Sequence, residues 1–525
     1  MKKKSIFSII LAGALAITMS SCYGLGDATM NEMGGYGYMA TYADYYYDGE
    51  EDWRYVEMNP AENYNTVTES PFINAATSPL STFSANPNTA AYSNMRRIIN
   101  SGNVPPAQSV RIEEYVNYFN YDYPTPQQGS PEPFSINAEV AVCPWNPDNL
   151  LAMVGIQGER LQSEQRVPNN VVFLIDVSGS MSSANRLPLV KESFLMLLDQ
   201  LDENDRISIV TYAGSNKVLA DSVKGSDRKS LEHIIKGLSA GGSTGGSAGI
   251  TEAYALAHKN FIEGGNNRII LATDGDFNVG LSSVADIIPL VQEQKEKGVF
   301  ITVLGYGMGN LNDHMLEEIA KQGSGNYAYI DTIEEAQKFL VDQFDSTMYV
   351  IAKDLKLQVE FNPAVVKEYR LIGYDNRRLN NEDFNDDKKD GGDIGAGFTV
   401  TAFYELVLHD GESNSSVDEL IYQTAEFTGS SDYMNIKVRY KAPSGGESSL
   451  VQKTITEEFF TQNPSDNFKW ASAVAEFGLI LRNSDYKGNA DINSVIERAE
   501  NCRGDNYGLR SQFIELAKKY KQIIN

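Results

Sequence analysis

Three short segments of this chain bring together oxygen-bearing side chains. Asp176-Val177-Ser178-Gly179-Ser180 sets one carboxylate and two hydroxyls at alternate positions, with Gly179 permitting a turn. Gly241-Gly242-Ser243-Thr244-Gly245-Gly246 is a pliable loop that adds hydroxyls. Thr273-Asp274-Gly275-Asp276 follows a run of apolar residues and adds further oxygens. None of the three contains His or Cys. Such a donor set suits a hard divalent cation, since Mg2+ takes about six oxygens at about 2.0–2.1 Å and keeps several waters. Asp176 and Asp274 cancel at most two charges. If one of them binds only through water, the ion stays electrophilic and its open position attracts an outside carboxylate. Asp276 and Asn278 lie just beyond and are placed to tune the outer shell.

Those segments need a frame that brings them to one point. Residues 171–175 are wholly apolar and end at Asp176. The pattern predicts further strands over 207–212, 268–273, 299–306 and 327–330. Between them it predicts helices over 187–201, 231–238, 251–261, 284–297, 314–321 and 334–344. Apolar strands alternating with helices predict an α/β fold with a doubly wound, mostly parallel sheet covered on both faces. In such sheets the carboxyl ends of the strands form the ligand crevice where the strand order reverses. Asp176 and Asp274 both fall at such ends.

The rest of the chain divides around this section. Its 525 residues carry 44 basic and 70 acidic side chains, a net charge of −26. That acidity argues against nucleic acid as a partner. Residues 1–21 read as a signal peptide, with Lys2, Lys3 and Lys4 ahead of a short apolar stretch. Cys22 follows Met19-Ser20-Ser21 as the cysteine of a lipobox does, which predicts cleavage before it and acylation of its thiol. Cleavage would take the net charge to −29. Residues 22–60, rich in Tyr, Gly and Asp, read as the lipidated cysteine and a flexible tether. Over 61–165 the text predicts helices at 90–100 and from Ser109 through 119, then strands at 135–143 and 151–157. The α/β section spans 166–350. Strands at 355–361, 398–408, 435–440 and 451–458 make 351–460 a β-sandwich-like unit. The strands before 160 lack a sheet of their own and are expected to join these, leaving the α/β section inserted between them. Residues 461–525 are expected to be helical. Cys143 and Cys502 either pair or stay as buried thiols. The acidic loop 381–393 reads as solvated, with Ca2+ binding as the alternative.

The oxygen-bearing segments resemble the metal-ion-dependent adhesion site of von Willebrand factor type A (VWA) domains. On that resemblance Asp176, Ser178 and Ser180 are the first ligand group, Thr244 is the loop threonine and Asp274 the late aspartate. It implies Mg2+ or Mn2+ as the metal. The wider chain resembles YfbK-type bacterial envelope proteins, through Val110-Arg111-Ile112-Glu113-Glu114-Tyr115, Cys143-Pro144-Trp145, Gly373-Tyr374-Asp375-Asn376-Arg377 and Asp390-Gly391-Gly392-Asp393. Phe398 departs from that likeness, standing where a polar residue, often His, is expected.

These readings converge on a protein-binding adhesion or scaffold module, not an enzyme. It is expected to sit in the bacterial cell envelope, lipid-anchored at the outer membrane, and to grip an Asp or Glu carboxylate of a protein partner through the metal. One alternative is a structural envelope protein whose metal only stabilises the fold. The other is a metal-assisted hydrolase, for which Asp276 is the only spare carboxylate near the site in sequence.

Overall fold

The computed structural model describes residue 64 and residues 68–85, 88–127, 129–242, 247–275, 284–307, 313–389, 391–409, 429–504 and 508–525. Two short strands come first, β1 (Ile73–Asn74) and β2 (Leu80–Ser84). Helices α1 (Ala90–Asn100) and α2 (Ile112–Val116) precede the hairpin β3 (Phe134–Val142) and β4 (Leu150–Gly158). The alternating section then runs β5 (Asn169–Asp176), α3 (Leu187–Leu197), β6 (Arg206–Tyr212), β7 (Asn216–Lys224), α4 (Arg228–Gly237) and α5 (Ser247–Lys259). It continues with β8 (Asn266–Thr273), α6 (Val284–Glu296), β9 (Val299–Tyr306), α7 (Asp313–Gln322), β10 (Tyr327–Ile330), α8 (Ile333–Gln337) and α9 (Phe344–Met348). Seven strands follow: β11 (Val350–Phe361), β12 (Val366–Ile372), β13 (Arg378–Leu379), β14 (Ile394–Gly395), β15 (Thr399–Leu408), β16 (Met434–Lys441) and β17 (Ser449–Ile455). Helices α10 (Asp466–Arg482), α11 (Ile492–Asn501) and α12 (Leu509–Ile524) close the fold.

The central sheet has the order β10-β9-β8-β5-β6-β7, parallel throughout except for the antiparallel edge strand β7. Every residue of β5 and of β8 is buried, as the interior strands of a doubly covered sheet must be. Residues of α5, α6 and α7 pack with one face of the sheet, and residues of α3, α4 and α8 with the other. The helices change face between β5 and β8, so the switch point lies between those two strands. The edge strand β7 was not predicted, because most of its residues are exposed and its apolar Val218, Leu219 and Ala220 stand between polar neighbours.

The flanking segments share sheets. One antiparallel sheet has the order β1-β12-β15-β4-β3, so strands from before and after the α/β section pair directly, as Phe403 with Met153. A second has the order β13-β2-β11-β16-β17. Their inner faces meet in one core, where the rings of Phe361 and Tyr369 stack at 3.9 Å between centroids. Helices α1, α2, α10, α11 and α12 cover the outer face of the first sheet around Trp470 and Phe513, both fully buried. Ser465 and Asp491 cap α10 and α11 with their side chains. Cys143 and Cys502 lie in this layer as separate buried thiols.

Three local expectations need correction. Ser109 does not start a long helix: its Oγ donates to the Pro106 carbonyl at 2.7 Å. Helix α2 is only five residues long, and Asn117 ends it by spending its Nδ2 on the carbonyls of Glu113 and Thr401. The stretch 334–344 is not one helix but α8, a π-helical turn over Lys338–Asp342, and then α9. The acidic loop is not simply solvated. Asp383 Oδ2 accepts two bonds from Asn380 at 3.0 Å, and the Asp386 carbonyl accepts from Lys356 Nζ at 2.6 Å.

A buried ionic cluster joins the first helix to the α/β section. Arg96 of α1 pairs with Asp331 and Glu335, and its Nη1 donates to the Tyr118 hydroxyl at 2.7 Å. That hydroxyl in turn donates to Glu335 at 2.6 Å. Lys338 sits with Nζ 3.3 Å from the centre of the Tyr118 ring, and burial pushes its pKa down to about 8.

Candidate metal centre

Asp176 is the last residue of β5 and Asp274 follows the last residue of β8, so adjacent parallel strands deliver both to the switch point. Both carboxylates are fully buried. Asp176 Oδ1 accepts the Ser178 N–H at 2.8 Å, which bends the chain straight after the strand. The Ser178 and Ser180 hydroxyls then lie 3.0 Å apart. Two main-chain bonds tie the glycine loop to this turn: Gly241 N–H to the Val177 carbonyl at 2.8 Å, and Gly179 N–H to the Gly242 carbonyl at 3.1 Å. Gly242 has φ +89° and Gly275 has φ +89°, a region that favours glycine.

Of the residues expected at the site, the structure brings Asp176, Ser178, Ser180 and Asp274 to one end of the sheet. Thr244, Asp276 and Asn278 lie outside the described residues, as does Cys22. The loop that carries Thr244 is nonetheless anchored to the Asp176 turn two residues before it.

The remaining chemistry of the pocket fits a hard divalent cation. Asp176 Oδ2 is buried and has no well-formed hydrogen bond, though the Tyr212 hydroxyl stands beside the carboxylate. Burial raises the Asp176 pKa to about 6, against the bonds from Ser178 and, more weakly, the Tyr212 hydroxyl, which lower it; the charge of Asp274 adds to the rise. Tyr212 lies close enough that the charge of Asp176 also lifts its phenol, above what burial does alone. A buried carboxylate with an unsatisfied oxygen is costly unless a cation meets it. Among the described residues no group of three or more His, Cys, Asp and Glu side chains could hold a metal. The set here is two carboxylates and two hydroxyls, hard oxygen donors and not a cage of charge.

One residue at the site was not predicted. Arg186, just before α3, has Nη1 2.9 Å from Asp274 Oδ2 and donates from the same nitrogen to the Ser180 carbonyl at 2.7 Å. It packs against Gly307 at the end of β9, where a Cβ would run into the arginine side chain. Its contact with Asp274 spans distant sequence, so only its position six residues after Ser180 could have hinted at it.

A doubly wound sheet with this carboxylate–hydroxyl turn at its switch point defines a VWA domain, a class that typically mediates protein interactions and is often metal-dependent. The VWA family profile matches residues 170–343, a von Willebrand factor profile matches 58–153, and one described as "Uncharacterized protein YfbK, C-terminal" matches 346–523. The chain is 42% identical over 463 residues to "Uncharacterized protein YfbK" of Escherichia coli (strain K12), covering 86% of this chain and 80% of that one. It belongs to the YfbK family. It is also 28% identical over 211 residues to the protein sll0103 of Synechocystis, spanning 39% of this chain and 48% of the relative. Among solved structures, the von Willebrand factor type A protein from Catenulispora acidiphila is 16% identical. That match covers 72% of this chain and 88% of the other, with a TM-score of 0.41.

Proposed function

We propose that this chain is a divalent-metal-dependent protein-binding module of the bacterial cell envelope, not an enzyme. In this reading it is held at the outer membrane by lipid on Cys22. The observation that carries the reading is the buried Asp176, with one oxygen unsatisfied, beside the paired hydroxyls of Ser178 and Ser180 and across from Asp274. Asp176, Ser178, Ser180, Thr244 and Asp274 would hold the ion. A bound Mg2+ or Mn2+ supplies an electrophilic open position that takes one carboxylate oxygen from a partner's Asp or Glu.

Arg186 sharpens that preference. With its guanidinium on Asp274, the described carboxylates and this arginine present a net charge of −1 to the ion. A divalent cation then leaves the pocket at +1, and a partner carboxylate brings it to neutrality. Arg186→Gln is therefore expected to tighten Mg2+ binding by about tenfold while weakening capture of a carboxylate-bearing partner. Calorimetry with Mg2+, followed by partner binding, reads both arms, and weaker Mg2+ binding in the variant would refute this role.

The reading itself is tested by recovering partners from envelope membranes in Mg2+ and in EDTA, using wild type, Thr244→Ala and Asp274→Ala. A specific protein retained only with Mg2+ and only by the wild type supports it. Thr244→Ala is expected to lower metal affinity without unfolding the chain. A protein that gains melting temperature from Mg2+ but shows no metal-dependent partner would instead be a structural protein stiffened by its ion.

A further inference from the structure

Strand β8 ends beside Asp274, and near its start, at the other end of the sheet, it carries Arg268. This arginine is 1% exposed. Its Nη1 donates to Thr302 Oγ1 at 2.8 Å, and its Nε is buried with no hydrogen-bond partner. Among the described residues it makes no ion pair. Its guanidinium carbon lies 5.7 Å from the centre of the Phe300 ring. Burial pushes the Arg268 pKa down to about 10, opposed by the charge of Asp393, and the group stays protonated at neutral pH. A buried cation with an unmet N–H and no carboxylate in ion-pair contact is expensive, and native folds rarely keep one idle.

Arg268 lines a cavity of about 60 Å³ between the α/β section and the β-sheets. Lys321 at the end of α7 and Arg377 before β13 also line it, as do Ser324 and Ser346, the latter donating its hydroxyl to the Gln343 carbonyl at 2.8 Å. Lys321 is exposed, while Arg377 is paired with Glu317 outside the lining. The one carboxylate in the lining is Asp393, whose Oδ1 accepts the Asp354 N–H at 3.2 Å. Three cations and one carboxylate thus share a small chamber in a chain whose net charge is −26. Its volume holds a few waters or one small oxyanion.

We infer that this cavity is a binding site for a small oxyanion of the phosphate or sulfate class. The buried Arg268 provides the principal contact, and Lys321 and Arg377 add positive charge. A guanidinium fork matches such oxyanions in geometry, and its charge-assisted hydrogen bonds are the strong kind. The bound anion would bridge α7, α9 and the segment before β14, and so stabilise the junction of the α/β section with its host by mass action.

The test measures melting of the whole chain in EDTA, at fixed ionic strength, with inorganic phosphate, sulfate or chloride. Wild type is compared with Arg268→Met and Lys321→Gln. Phosphate or sulfate is expected to raise the wild-type melting temperature saturably beyond chloride. Lys321→Gln should weaken the apparent affinity about three- to tenfold, and Arg268→Met should abolish the response. Without added anion, Arg268→Met should melt no lower than wild type, the reverse of what a purely structural arginine would give. The inference is overturned if phosphate and sulfate act no differently from chloride on the wild type, or if Arg268→Met responds as the wild type does. Should Arg268→Met not fold, an unchanged affinity in Lys321→Gln overturns it equally.

Discussion

In EDTA at pH 8, Asp176→Asn is expected to be more stable than the wild type and to have lost its response to Mg2+. The wild-type carboxyl titrates near 6 in the folded chain against an ordinary 3.8, because it is buried. A folded pKa raised above the unfolded one favours the protonated form. The stability it brings is therefore full below about pH 4 and is lost as the pH climbs through 6. Above that, the metal-free wild type carries the cost of a buried charge, about 3 kcal/mol from the two pKa values. Asparagine removes the charge and keeps the shape. Urea unfolding in EDTA should show the variant ahead at pH 8 and level with wild type near pH 4. With Mg2+ at about 100 times its dissociation constant, the wild type should gain about 2.7 kcal/mol and the variant nothing. A variant that still gains stability from Mg2+ would falsify the assignment of Asp176 as a ligand.

A second large effect is expected far from that site. Glu405 on β15 is 1% exposed and accepts from Arg370 at 3.1 Å and from Asn149 at 2.7 Å. Arg370 on β12 is equally buried, with its guanidinium carbon 4.6 Å from the centre of the Tyr486 ring between α10 and α11. Asn149 belongs to the turn before β4. One carboxylate therefore holds residues from before the α/β section and after it, and through Arg370 the ring of Tyr486. Glu405→Ala leaves the arginine charge buried without its partner, at a cost of about 3–5 kcal/mol. Replacing both, Glu405→Leu with Arg370→Leu, should recover most of that loss, since a buried pair is often no better than well-packed apolar residues. Urea unfolding of wild type, Glu405→Leu, Arg370→Leu and the double variant, with Glu405→Ala alongside, measures the coupling. A loss under about 1 kcal/mol in Glu405→Ala would show that the pair is not isolated from water.

The parts of this architecture that were legible in the sequence are those written locally. The apolar run before Asp176 marked β5, and the run before Asp274 marked β8, so the two carboxylates could be placed at strand ends before their proximity was known. The missing parts depend on distant partners. Strand β12 carries Lys367, Glu368 and Arg370 and does not read as a buried strand; Arg370 can lie inside only because Glu405 comes from another strand. Arg186 was missed for the same reason, its counter-charge being far along the chain. The bonds from Gly241 and Gly179 are made by the main chain, which side-chain spacing does not encode. Phe398 shows the converse: its carbonyl accepts the Gly158 N–H at 2.9 Å, a contact indifferent to the side chain expected there.

The cluster around Arg96 bears on how such a pocket would greet a visitor. Glu335, at 1% exposure, is engaged at once by Arg96 and Tyr118, which belong to the segment ahead of the sheet. Sliding α8 along its axis would pull the buried Glu335 away from Arg96 and Tyr118, a penalty of several kcal/mol. The helix after β10 is thus bolted down on its far side. Any rearrangement that a partner brings about at the metal turn is therefore expected to leave α8 in place.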